Sequence, residues 1–408
     1  MDSLPPQVSF PETPADNDCP NCRATNARAV YAVDSIPIHS CVLLDSSEEA
    51  RAFPVGDMRW AYCPDCTFLF NDAFEPALID YSSDYEETQG FSRTFSTWLE
   101  GVATDLIARY DLTGKRIVEI GCGRGDFLEL ICRLGDNTGV GVDPSETAGR
   151  VDHAAGAGLS FLREHFGPQH RDLEADAIVC RHTLEHIHDP RALLESVRAA
   201  IGDEGIVFFE VPDVGRQLDE GAFWDIYYEH CSYFSEASLR HLFESSGFTV
   251  VRIEKVYAGQ YLQIAARPTA KGRPPAARSV DASIRAHWAS AVATFSRNCE
   301  SALGNWNRFL QERLVDHESA VLWGSGSKAT GFLTTLGWTT QVLERVVDIN
   351  PDKWNRFVAG TGQRIIEPRT LTQERPQHVV IMNPIYTDEI SADLASYGCT
   401  PQLHPLGT

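Results

Sequence analysis

The run VEIGCGRGD, Val118 to Asp126, decides how this chain is read. Val118-Glu119-Ile120 ends an apolar stretch of strand type. Gly121, Gly123 and Gly125 then form a turn, and DFLELICRLG follows with helical spacing. Glycines at such a turn let backbone N–H groups and a ligand approach closely. The spacing is GxGxG, which differs from the GxGxxG dinucleotide fingerprint. Glu119, just ahead of the glycines, would repel a pyrophosphate and suits a ligand with a positive centre. A second acid, Asp143, ends the next strand in TGVGVD, where carboxylates commonly take ribose hydroxyls.

Outward from this unit, strands and helices alternate. DAIVCRH and GIVFFEVP read as strands. DPRALLESVRAAI reads as a helix with Pro190 in its first turn. SEASLRHLFESSGF reads as a helix that Ser235 caps and Gly247 stops. Helical spacing also marks Phe91 to Ala108. The alternation implies an α/β protein with an open, mostly parallel, doubly wound sheet. The Pro/Ala/Arg-rich stretch 267–280 reads as a linker. A long helix is expected over about 281–317. AVLWGSGSKATGFLTTLG then restarts a strand–glycine turn–helix unit, followed by the strands RVVDINP and HVVIMNP. Residues 281–408 are therefore expected to form a second, smaller Rossmann-like domain. There Gly324, Gly326 and Lys328 are candidates to hold a phosphate at a helix N-terminus. Residues 1–18 are Pro-rich and polar, and are expected to be a flexible tail.

With 35 basic and 57 acidic residues the net charge is 35 − 57 = −22. That field repels phosphate backbones and argues against nucleic acid as a partner. No apolar run is long enough to span a bilayer, and no signal peptide is evident, so neither a membrane nor secretion is expected. Eleven cysteines without a signal point to the reducing cytoplasm and to metal rather than disulfides. Cys19-Pro-Asn-Cys22 and Cys63-Pro-Asp-Cys66 are matched CxxC pairs that can supply the four thiolates of a structural zinc site. They place a zinc-binding module at 19–80, ahead of a catalytic domain at 81–266. Cys41 and Cys231 are read as packing.

YYEHCSYFS, Tyr227 to Ser235, follows the strand GIVFFEVP. It lies where ligands bind in open sheets, beyond the carboxyl ends of the strands. His230 is a candidate general base, its ordinary pKa of about 6.5 suited to proton abstraction near neutrality. Glu229 either orients His230 or holds a substrate hydroxyl, and Tyr227 is placed to donate to an oxyanion or sugar oxygen. His186 follows the preceding strand on the same rim. Tyr233 and Phe234 read as core at the helix entry.

VEIGCGRGDF resembles the first motif of class I S-adenosylmethionine-dependent methyltransferases, and DAIVCRHTLEHIHDP (176–190) is similar to their fourth-strand motif. The resemblance implies that Glu119, Gly121, Gly123 and Asp143 hold S-adenosylmethionine. The order CxxC…CxxC, VEIGCGRGD, LEHI, IYYEHCSYFS and a terminal WGSGSKA…VVDINP…MNP domain is similar to the three-domain, zinc-containing deoxysugar C-methyltransferases of antibiotic pathways. Those act on nucleotide-linked keto-deoxysugars. By position, the likeness makes His230 the base, with Tyr227, Glu229 and His186 beside it. DYSSDY (80–85) matches a family segment that closes over the site, which makes Tyr81 or Tyr85 a substrate contact. Lys328 would meet the nucleotide's phosphates. The chain leaves the family pattern at Tyr228, at Val256–Gln260, at GSGSKAT and at MNPIYTDEI, all near the substrate side. The expectation is a cytoplasmic monomer or homodimer that C-methylates a nucleotide-linked sugar, with S-adenosylmethionine as cofactor and Zn2+ in its module. The alternatives are O- or N-methylation of a non-sugar metabolite such as a carboxylate, and a non-catalytic assembly protein.

Overall fold

A computed structural model describes residues 7–79, 86, 88–145, 158–270 and 279–407. Three sheets organise them. The central one has seven strands in the order Phe248–Val256, Tyr261–Pro268, Ile201–Pro212, Ala175–Arg181, Arg116–Ile120, Thr138–Val142, Leu159–Leu162. The last five strands in that order run parallel, and the Phe248–Pro268 hairpin adds an antiparallel edge. The chain leaves Arg116–Ile120 toward one edge and returns on its other side at Ala175–Arg181. This reversal opens a crevice at the carboxyl ends of those two strands, the place where open α/β sheets bind ligands.

The flanking helices form where their signals lie. Asp126–Gly135 starts at Gly125, Pro190–Ala200 carries Pro190 in its first turn, and Glu236–Ser245 is capped by Ser235 in a reciprocal box with Ser238. The third sheet is wholly parallel, in the order Arg364–Ile366, Arg345–Val347, Ala320–Trp323, His378–Ile381, Gln402–Pro405. It is a smaller Rossmann-like unit, as expected.

The first sheet is antiparallel: Val8–Ser9, Arg28–Pro37, Val55–Tyr62, Leu69–Asn71 and, from far along the chain, Ser232–Tyr233. Two expected boundaries shift as a result. The tail expected over 1–18 is strand-paired at Val8–Ser9. It also bonds backbone to backbone from Ala15 N–H to the Ala27 carbonyl, because an edge strand satisfies its polar groups by recruiting its neighbour. The 19–80 module in turn borrows its last strand from the catalytic domain. The linker expected over 267–280 begins later, since Arg267 and Pro268 complete the hairpin; residues 271–278 lie outside the described residues.

Ala282–Asp316 is one helix of 35 residues, about 50 Å long. It buries Trp288, Val292 and Phe295 in a core shared with Tyr31 and Trp60 of the first sheet. It lies so close to Gly221 (φ 60°) that a Cβ there would sit 2.3 Å from the Asn298 backbone. Farther on, Trp306 meets Phe332 of the third unit edge to face, with ring centroids 5.1 Å apart. The helix therefore packs on all three units. Phe295 is fully buried, edge-on to Tyr31 and Trp60 at 5.7 and 5.3 Å. Phe295→Ala is expected to cost about 3–5 kcal/mol by opening a cavity in that core. Ile284→Ala, at an exposed site on the same helix, should stay within about 0.5 kcal/mol. Chemical denaturation midpoints of the two variants check the difference.

Candidate active site

The glycine turn has the conformation its sequence requires. Gly121, Gly123 and Gly125 have φ of 67°, 50° and 96°. A Cβ on Gly121 would fall 1.9 Å from Thr183 Oγ1, whereas the space beside Gly123 is open. Asp143 holds the turn: its Oδ2 accepts from Gly123 N–H at 2.9 Å, and its Oδ1 from the backbone and hydroxyl of Ser145. Glu119 is buried beneath, and its Oε2 has no partner. Burial pushes its carboxyl up to about pKa 8, against the pull of Arg181. A buried carboxyl with an unpartnered oxygen beneath an open glycine turn fits a ligand that brings a hydrogen-bond donor or a positive group. Glu119, Gly121, Gly123 and Asp143 thus stand together at the crevice.

A cavity opens beyond this turn, walled by all three units: Cys41 from the first, His182, His186, Tyr227 and His230 from the second, and Lys328 and Asn350 among others from the third. His230 is buried, its Nδ1 without a partner. Its ring lies 4.3 Å from that of Tyr227 and 4.6 Å, edge-on, from that of His186. Burial, with His186 next, holds the His230 pKa well below 6.5, so the imidazole is neutral at physiological pH. Burial raises the Tyr227 hydroxyl well above its ordinary pKa, so it remains a proton-bearing donor.

Glu229 points elsewhere. Its oxygens take His39 Nδ1 at 3.2 Å, Ser40 N–H at 3.1 Å and the Ser40 hydroxyl. Burial opposes its charge, but His39, His186 and Ser40 outweigh burial and hold its pKa below the ordinary value. Of the two roles open to Glu229 in the sequence, neither is made here. The carboxylate instead ties the His230 segment to the first unit. Tyr81 and Tyr85 lie outside the described residues. Tyr233 and Phe234 are core, as read, and Tyr228 is buried with its hydroxyl accepting from Glu75 N–H. Cys41 is buried but also borders the cavity, 3.3 Å from Ser327 Oγ.

Lys328 reaches the cavity from the helix Ser327–Leu336, but its ammonium is 2.8 Å from Asp225 Oδ2, which also pairs with Arg216. Lys353 lines the cavity as well, 4.0 Å from Asp348, whereas Arg356 turns outward to Asp45. Asp348 repeats the device of Asp143: its Oδ2 accepts from Ser325 N–H at 2.8 Å and so holds the second glycine turn. Where the second and third units meet, Gln260 and Asn383 exchange amide hydrogen bonds of 3.0 and 3.1 Å, and the hydroxyl of Tyr257 meets that of Tyr386 at 2.7 Å. Tyr257 and Ala258 are left-handed, with φ of 53° and 54°. Sequence reasoning also passed over His182. Its ring nitrogens face Glu185 at 3.6 Å and Glu210 at 3.0 Å. Burial works against its charge, yet these carboxylates outweigh it and push it up to about pKa 9. The signal available in sequence was a histidine one turn from a glutamate, which is common on any surface.

The four cysteines converge. Cys19 and Cys66 Sγ are 3.6 Å apart, Cys22 and Cys63 Sγ 3.5 Å, and all four lie within 4.8 Å of one another. Those spacings are too long for disulfides and close to the ~3.8 Å edge of a tetrahedron with Zn–S bonds of about 2.3 Å. Each CxxC is closed by a left-handed residue, Arg23 or Thr67, whose N–H bonds back to Cys19 or Cys63. The donor set fits a structural zinc ion.

Residues 95–253 match the family model of a methyltransferase domain, and residues 261–400 match that of a C-methyltransferase C-terminal domain. This chain is an S-adenosylmethionine-dependent methyltransferase. The methyltransferase is 27% identical to the C-methyltransferase NovU of Streptomyces niveus over 297 residues, 70% of each chain. It is 28% identical over 145 residues to the ubiquinone biosynthesis O-methyltransferase of Cupriavidus pinatubonensis, which covers 34% of this chain and 54% of that relative. Among solved structures it is similar to magnesium protoporphyrin IX methyltransferase from Synechocystis, with a TM-score of 0.36 and 17% identity. That likeness covers 43% of this chain and 84% of the other. Among the described residues no helix is long and apolar enough to cross a membrane.

Glu119 holds its proton up to about pH 8 and must lose it to meet a cationic group. Affinity for S-adenosylmethionine is therefore expected to fall as pH drops below 8, by up to about tenfold per unit. Glu119→Gln should weaken binding and flatten that dependence. Calorimetric titration across pH, in buffers of different ionisation enthalpy, reads both the affinity and the released proton.

Proposed function

We propose that the methyltransferase transfers a methyl group to carbon on a nucleotide-linked keto-deoxysugar, with His230 as general base. The observation that carries this reading is a neutral, buried imidazole with an unpartnered ring nitrogen. It lies in the cavity where the cofactor domain meets the C-terminal unit. The C-methyltransferase C-terminal match and the likeness to NovU support carbon as the atom methylated.

S-adenosylmethionine, when bound, supplies an electrophilic methyl group. The protein's part is to make a carbon nucleophilic and to aim it. In this reading His230 takes the proton from the carbon beside the ketone. The Tyr227 hydroxyl donates to the oxygen on which charge develops. The electron-rich carbon would then form the new C–C bond as the methyl–sulfur bond breaks, with S-adenosylhomocysteine as the leaving group, and the proton remains on His230. Burial makes protonation of His230 costly, and the anion forming beside it offsets part of that cost. Lys328, Arg216 and Lys353 are the basic groups on the cavity wall, and the nucleotide's phosphates would compete with Asp225 and Asp348 for them. Zinc, held by Cys19, Cys22, Cys63 and Cys66, keeps the first unit in shape.

His230→Asn is expected to lower turnover by about 10²-fold or more while S-adenosylmethionine affinity stays unchanged. Full turnover in that variant would overturn the base assignment. Because burial lowers the His230 pKa, the acid limb of the wild-type pH–rate profile should fall below pH 6.5. Elemental analysis should find one zinc per chain. Stripping it should abolish turnover together with the fold of the first unit, since the His230 segment is a strand of that unit's sheet. Retained activity in fully zinc-free protein would refute this dependence.

A further inference from the structure

Glu185 and His186 end the 3₁₀ turn Leu184–His186 after the strand Ala175–Arg181, and His230 comes from the turn before Ser232–Tyr233. One ligand atom from each of the three lies within 4.8 Å of the others. Glu185 is 2% exposed and its Oε2 has no partner; its Oε1 faces His182. His230 is 6% exposed and its Nδ1 has no partner either. Two buried polar atoms left unpaired on residues of one cluster carry a desolvation cost of about 1–3 kcal/mol each. All three residues line the cavity, so the space between them can be entered.

We propose that Glu185, His186 and His230 form a site for a divalent first-row transition ion, distinct from the four-cysteine cluster, whose occupation blocks methyl transfer. Two imidazoles and one carboxylate on one side of an ion, with the other side open, are the donor set of a facial triad. Imidazole nitrogen selects Co2+, Ni2+, Cu2+ or Zn2+ over Mg2+ and Ca2+, which require an oxygen shell. The donors are two imidazoles and a carboxyl group, so binding needs no oxidant and displaces no other metal. His182, His186 and Lys328 oppose positive charge at His230, and carboxylates next to them offset part of that field. His182 is matched by Glu210 and Glu185, and Lys328 by Asp225. The consequence for catalysis rests on the reading of His230 as base. A lone pair given to the metal cannot accept a proton, and an ion there also occupies the acceptor's place. Ion binding itself does not depend on that reading.

The test uses the full chain with zinc already in the four-cysteine cluster and Co2+ as the probe. Calorimetry and visible absorption are expected to show one further Co2+ per chain, with d–d bands and no thiolate-to-cobalt charge transfer. Glu185→Gln, His186→Asn and His230→Asn should each weaken that binding by at least about tenfold, with S-adenosylmethionine affinity kept as evidence of fold. No bound Co2+, binding that shows only thiolate bands, or affinity unchanged in all three variants would overturn the site. Should a variant misfold, the wild-type spectrum still decides between nitrogen–oxygen and thiolate ligands. In turnover assays Co2+ or Zn2+ should inhibit, acceptor should protect, and a chelator too weak to strip the cluster should restore the rate. Binding without inhibition would overturn the blocking role. Protein with no turnover under any condition would count against the C-methylation reading while leaving the binding titration legible.

Discussion

The short pairing of Ser232–Tyr233 with Leu69–Phe70 is the constraint on which the rest depends. It makes the segment carrying Tyr227 and His230 part of a sheet built mostly from residues 8–71. Glu229 adds a second tie, since its buried carboxylate is satisfied by His39 and Ser40 rather than by anything in the cavity. A histidine on a free loop would sample many positions. Here its neighbours on both sides are fixed by backbone and side-chain bonds to another domain. The four-cysteine cluster becomes part of the site's geometry through that sheet.

A second economy is the repetition of one local device. In the cofactor domain an aspartate after the second strand accepts from the backbone of the glycine turn after the first, as Asp143 does for Gly123. In the C-terminal unit Asp348 does the same for Ser325. The second turn, at Gly324–Ser327, lies on the cavity wall. The environments differ where function would require it. The first turn has an orphaned acid beneath it, while the second has Lys328 and Lys353 close by.

What could be read from the sequence was whatever depends on near neighbours. The strand–turn–helix at Val118–Asp126, the Ser235 cap, Pro190 in its helix and the matched cysteine pairs each carry their signal within a few residues. Long-range partners were not readable. Glu229 lies about 190 residues from His39 and Ser40, and Lys328 lies 103 from Asp225. Nothing local to either announces the other. The hairpin Phe248–Pro268 escaped for a different reason. Its turn puts Tyr257 and Ala258 in the left-handed region ahead of Gly259, and residues of those two types do not announce that conformation.

The reciprocal amides of Gln260 and Asn383 join two stretches that both leave the pattern of the resembling family. Changing one partner alone strands a buried amide, so either position is poorly free to drift by itself. Tyr257 and Tyr386 are bound by the same logic. Among relatives, these two walls of the cavity should therefore diversify in step. New acceptor preferences in this lineage would then come as matched pairs of substitutions across a domain boundary rather than as single replacements.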